Sequence, residues 1–182
     1  MTSLTTHASK APFAAQPATE DFATIAARLA PAGVTLERWD ADAQLPAEPD
    51  DAAILAAYAP QIERLKARGG YRSEDVVRMT PDHPARAELR QKFLSEHVHD
   101  DDEVRFFVEG SGLFCIHHED QIHALTCTAG DLIVLPAGTH HWFDTGEAPH
   151  FTAIRLFVSP EGWVARYTGD AIAEELFNSV AA

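Results

Sequence analysis

His97 and His99 stand two residues apart, and Glu103 follows four residues later. On a β-strand, side chains at i and i+2 leave the same face, so both imidazoles point into one space. Glu103 shares their parity across the short acidic turn Asp100-Asp101-Asp102. A second segment runs Gly130-Asp131-Leu132-Ile133-Val134-Leu135-Pro136-Ala137-Gly138-Thr139-His140-His141. Its Gly, Pro and Gly form a tight corner that delivers a histidine, His140 or His141, to the start of the next strand. Three histidines and one glutamate make an N3O donor set. Neutral imidazole with carboxylate suits Fe(II), Ni(II), Mn(II), Cu(II) or Zn(II). A six-coordinate ion held by four side chains keeps two positions free, the arrangement of a catalytic centre rather than a closed structural one. Arg105 lies two residues past Glu103 and points the same way. A buried arginine needs a partner: a core carboxylate such as Asp131 or Glu96, or an anionic substrate at the metal. Parity also places Phe93 with His97 and Phe143 with His141, so these two rings are the expected pocket walls.

The elements that must carry these residues follow from periodicity. After residue 80, Pro81 and Pro84 interrupt any helix, and short β-branched and aromatic runs follow between turn residues. The pattern predicts strands over 89–99, 103–108, 112–117, 121–127, 131–135, 141–144 and 151–158. Such a series builds a sandwich or barrel. Ahead of it, 21–30 has helical spacing. Residues 50–69 carry the clearest apolar stripe, through Ile54, Leu55, Tyr58, Ile62 and Leu65, with Asp50 or Asp51 as cap and Gly69-Gly70 as stop. A short helix is expected over 170–177. The predicted organisation is an N-terminal arm (1–19), loose or a short edge strand, and one domain (20–182). That domain has a helical front (20–70) and a β-barrel core (about 85–160).

The two metal-bearing segments, H-x-H-x3-E-x6-G from His97 to Gly110 and G-x5-P-x-G-x2-H from Gly130 to His141, resemble the paired signatures of the cupin superfamily. That resemblance implies a mainly β fold with α additions, a double-stranded β-helix or jelly-roll barrel with its metal inside. The second pattern selects His141 over His140, whose expected place is a solvated neighbour on the other face. Two turn positions depart from the pattern, at Gln91 and Thr145.

The runs Lys92–His99, Asp102–Gly110 and Pro136–Asp144 look more specifically like the acireductone dioxygenase family of methionine salvage. Shorter pieces support this at Glu37-Arg38-Trp39, Tyr71-Arg72, Ala153–Phe157, Gly162-Trp163-Val164 and Thr168-Gly169. The resemblance implies one Fe(II) or Ni(II) per chain on His97, His99, Glu103 and His141. It implies the substrates 1,2-dihydroxy-3-keto-5-methylthiopentene and dioxygen, with Arg105 stabilising the enediolate. It further implies two outcomes: formate and 4-methylthio-2-oxobutanoate with iron, or formate, carbon monoxide and 3-methylthiopropanoate with nickel.

Composition narrows the partners. With 28 acidic and 14 basic residues in 182, the formal charge of −14 disfavours nucleic acid and anionic membrane surfaces. No apolar run is long enough to span a bilayer, and Met1–His7 lacks the features of a secretory signal. A cytoplasmic monomer is the expectation. Cys115 and His117 on one strand, with His123 and Cys127 on the next, offer a second, zinc-like set across a hairpin, against the plainer reading of two half-buried thiols and two surface imidazoles. Glu96, beside the ligands but of opposite parity, is a candidate acid or base for the first substrate proton, against the plainer reading of a surface residue.

Overall fold

The computed structural model describes residues 1–159 and 164–181, with the side chain of Ala181 excluded. Gly162 and Trp163 lie outside the described residues. The chain begins with a strand, β1 (Ser3–Ala8). Helix α1 (Phe22–Leu29) follows, capped by Asp21, whose carboxylate accepts from the Thr24 N–H at 2.8 Å. A 3-10 turn at Ala30–Ala32 leads to β2 (Thr35–Arg38). Helices α2 (Asp51–Ala57) and α3 (Ala59–Gly69) come next, then β3 (Ser73–Met79) and α4 (Arg86–Leu94). The barrel strands are β4 (His97–Val98), β5 (Glu103–His118), β6 (Gln121–Thr128), β7 (Asp131–Leu135), β8 (His140–Asp144), β9 (Phe151–Phe157) and β10 (Arg166–Tyr167). Helix α5 (Ile172–Ala181) closes the described chain. Among the described residues, no helix is long and apolar enough to cross a membrane.

All strand pairings are antiparallel. One sheet runs β1-β6-β5-β8-β4-β10, and the other runs β3-β9-β5-β7-β2. Strand β5 belongs to both. Its first half pairs with β7 and β9, and its second half pairs with β6 and β8. The join is a bulge between Phe107 and Glu109, followed by Gly110 at φ 71°. The bulge shifts the inside/outside alternation by one residue. Phe107 before it and Phe114 after it therefore share one core, with Ile116, Ile133 and Phe143. The result is a cupin-type barrel, mainly β with helical additions.

A second core lies between the β5–β7–β9 face and the helices α2 and α3, through Ile54, Tyr58, Ile62, Phe106 and Ile154. A third packs α5 (Ile172, Leu176) against Trp142 and Cys115.

Several elements differ from the sequence reading. Of the two readings of the arm, the structure shows the edge strand and not the loose one: β1 pairs with β6 from Ser3↔Thr126 to Ala8↔Gln121. The stripe over 50–69 is split into α2 and α3, because Pro60 has no N–H to continue the helical ladder. Residues 89–99 are not a strand; α4 occupies most of that span. Its residues are good helix formers, but none is buried, so no apolar stripe marks it. The sequence pattern predicts no strand over residues 73–79, yet β3 pairs with β9 along its whole length. The expected breaks around residues 109–112 are a bend within one strand.

Candidate metal centre

His97 opens β4, His99 lies just past it, Glu103 opens β5 and His141 sits in β8. His97 and His141 face each other in the β4–β8 ladder. The four side chains each offer a ligand atom, and these atoms all lie within 4.8 Å of one another. Glu103 Oε2 is 2.8 Å from His141 Nε2 and 3.4 Å from His99 Nε2.

The outer nitrogens are fixed by backbone carbonyls. His97 Nδ1 donates to Ser95 O at 2.7 Å, His99 Nδ1 to Val164 O at 3.2 Å, and His141 Nδ1 to Thr139 O at 2.8 Å. A carbonyl only accepts, so each Nδ1 carries the hydrogen, and in the neutral ring this leaves a bare Nε2 lone pair as the ligating atom. Two such lone pairs directed at one carboxylate oxygen repel unless a cation lies between them. This donor set fits a divalent metal ion.

The electrostatics agree. Burial first, and the neighbouring His141 second, push the His97 imidazole down to about 4, keeping it neutral and ligating near pH 7. Burial alone would raise the Glu103 carboxyl. The Arg105 guanidinium overrides it and holds Glu103 well below the usual carboxylate range.

Arg105 Nη2 donates to Glu103 Oε1 at 2.5 Å. The partner expected among Asp131 and Glu96 is therefore Glu103 itself. The guanidinium lies 4.5 Å from the Phe143 ring centroid and 5.1 Å from that of Phe114. Among the described residues its buried Nε has no hydrogen-bond partner.

A cavity of about 480 Å³ opens onto these groups, walled by Phe93, Phe143, Phe157 and Tyr167. Phe93 sits there from helix α4, packed at 6.5 Å from Phe143, and not from the strand whose parity placed it.

The sequence profile of the ARD/ARD' family matches residues 4–165. The chain belongs to the ARD/ARD' family. A relative from Parvibaculum lavamentivorans, named acireductone dioxygenase, is 56% identical over 173 residues, covering 95% of this chain and 94% of its own. One of the same name from Serratia proteamaculans is 56% identical over 154 residues, 85% of this chain and 86% of its own. Among solved structures, acireductone dioxygenase from Bacillus anthracis with a cadmium ion in its active centre superposes with a TM-score of 0.81. It is 32% identical and covers 92% of this chain and 98% of that one. This ARD-family chain is thus an enzyme of a metal-dependent dioxygenase family.

An ion pair on the wall of the ARD-family cavity is absent from the expected site residues. Arg155 on β9 and Asp75 on β3 both line it, joined by bonds of 2.9 and 2.6 Å. The signal was an arginine inside the apolar run Ala153–Phe157, where burial demands a carboxylate. The zinc-like set across the β5–β6 hairpin does not assemble. Cys115 pairs with Ala124, Cys127 lies opposite Gly112, and His123 Nδ1 contacts Thr6 Oγ1. Both thiols are fully buried rather than half-buried. Glu96 is not at the surface either: its side chain is 1% exposed, beside His117 and His140.

Proposed function

We propose that this protein is an acireductone dioxygenase of methionine salvage, using one Fe(II) or Ni(II) on His97, His99, Glu103 and His141. The substrate is 1,2-dihydroxy-3-keto-5-methylthiopentene. A bound metal would supply Lewis acidity toward the enediol oxygens. The chain's residues do the rest. The three backbone-tied imidazoles hold their Nε2 atoms in place before any ligand arrives. Arg105, clamped between Phe143, Phe114 and Glu103, fixes a permanent positive charge where the enediolate's negative charge collects. Phe93 and Phe143 wall the apolar part of the cavity for the methylthio end and keep water from the reacting carbons.

Glu96 serves as no base in this reading, because both its oxygens are engaged by His117, His140 and Thr168. With iron the products are formate and 4-methylthio-2-oxobutanoate. With nickel they are formate, carbon monoxide and 3-methylthiopropanoate. Nickel generally binds such donors more tightly than iron, so metal supply chooses between the two.

The observation that carries the reading is the set of bare Nε2 lone pairs aimed at one carboxylate oxygen beside a buried arginine, in a chain of this family. The test is direct. Iron-loaded protein is mixed with anaerobically prepared acireductone and then exposed to oxygen. Consumption of both with release of formate is expected. Unchanged acireductone overturns the proposal.

A further inference from the structure

Glu96, His117 and His140 form a second cluster of ligating side chains, separate from the first. Glu96 and His140 each immediately precede a residue of the first centre, His97 and His141. Strand alternation puts the two clusters on opposite faces of one sheet. His117 and His140 are direct partners in the β5–β8 ladder. Glu96 Oε1 is 2.7 Å from His117 Nδ1, and Glu96 Oε2 is 3.2 Å from His140 Nδ1. Thr168 Oγ1 donates to Oε2 at 2.7 Å and steadies the carboxylate from behind.

We propose that Glu96, His117 and His140 are a second divalent-metal site of the zinc class, back to back with the first centre. Three features carry it. The first is charge. The Glu96 side chain is 1% exposed, and among the described residues no lysine or arginine pairs with it; its ion-pair partners are the two imidazoles. A buried carboxylate calls for a cation.

The second is geometry. Tetrahedral bonds of about 2.0–2.1 Å separate neighbouring donor atoms by about 3.3 Å. The His140 contact is already at that spacing, and the His117 contact needs an opening of roughly 0.6 Å. The third is chemistry and access. Both Nδ1 atoms face the carboxylate. A shift of each ring's hydrogen to Nε2 exposes both lone pairs to a metal without net proton release. The His140 side chain is 50% exposed and the His117 side chain 20%, which leaves the site open to an incoming ion. Two histidines and one carboxylate suit a borderline ion such as Zn(II), with the fourth position left to water.

The test counts zinc. Tag-free, metal-stripped full chain is dialysed against Zn(II), and bound metal per chain is measured by mass spectrometry. Two equivalents are expected for the native protein, and one each for Glu96→Gln and His140→Ala. His97→Ala is expected to keep the equivalent held by Glu96, His117 and His140. His140 is half-exposed, so His140→Ala leaves far-UV circular dichroism unchanged and serves as the folded control. Nitrogen NMR on histidine-labelled protein supplies a second readout: zinc moves the hydrogens of His117 and His140 from Nδ1 to Nε2. One equivalent in the native protein, or a second equivalent that persists in both Glu96→Gln and His140→Ala, overturns the proposal.

Discussion

Gly112 tests how tightly the Arg105 clamp is built. It lies on β5 just past the bend, facing the core. A Cβ added there would meet Phe143 Cζ at 2.2 Å and Cε2 at 2.5 Å, closer than carbon atoms approach. The ring has nowhere to retreat. Phe143 is 2% exposed and packs at 4.7 Å from Phe114 and 5.6 Å from Phe151. Its other side carries the Arg105 guanidinium. Forcing one methyl into a filled core costs about 1–3 kcal/mol. For a chain of this size that is about 4–8 °C in Tm at the middle of the range.

The displacement also moves the surface on which Arg105 rests. Gly112→Ala should therefore lower kcat/KM for acireductone while metal content stays native. Differential scanning calorimetry and steady-state oxygen uptake measure the two effects. Replacing Phe143 with Leu in the Gly112→Ala background should recover part of the lost stability, so the two substitutions are strongly non-additive. A Gly112→Ala protein that melts and turns over like the native one would refute the clamp.

His97→Ala and His99→Ala should each lose the catalytic metal by elemental analysis while keeping native far-UV circular dichroism; native iron or nickel occupancy would contradict the ligand assignment. Arg105→Lys keeps the charge but loses the planar face that stacks between two rings and the fork that reaches Glu103. One charged hydrogen bond of about 1.5–3 kcal/mol sets the expected loss in kcat/KM at about 10- to 100-fold. For Asp144, burial raises the carboxyl, but bonds from Arg90 and the Gly146 N–H override it and hold it below its ordinary 3.8. The stability contributed is present above that value and is lost as pH falls through the lowered one. Asp144→Asn should thus be less stable than the native protein at pH 7, with the gap in denaturant midpoint narrowing below about pH 4.

The cluster of His97, His99, Glu103 and His141 was legible because its geometry is local. His97 and His99 need only an extended backbone between them, and the Gly130–Gly138 corner announces its own turn. The α3 boundary was legible for the same reason, through Gly70 in the left-handed region at φ 71°. What escaped was decided by contacts far along the chain. Helix α4 buries no residue completely, so hydrophobic spacing is blind to it. Strand β3 exists because β9 offers it an edge, and the Asp75–Arg155 pair is visible only once the two lie side by side. Glu96 reads as a polar surface residue until His117, twenty-one positions later, covers it. Phe93 reached the cavity wall by a route that parity did not describe, from a helix rather than a strand.

The bulge at Phe107–Glu109 couples the registers of the two sheets. A slip of one residue turns every side chain of a strand to the other face. Strand β5 is out of phase with itself, so its two halves check each other. If the first half slips by one against β7 and β9, Arg105 and Glu103 face outward while Phe114 and Ile116 still point inward. If the second half slips instead, the guanidinium is sealed in without its aromatic floor. Only one alignment buries the ion pair and the rings in the same chamber. The strand that carries Glu103 and Arg105 thus pairs into both sheets, and the closed barrel sets that ion pair against the aromatic rings.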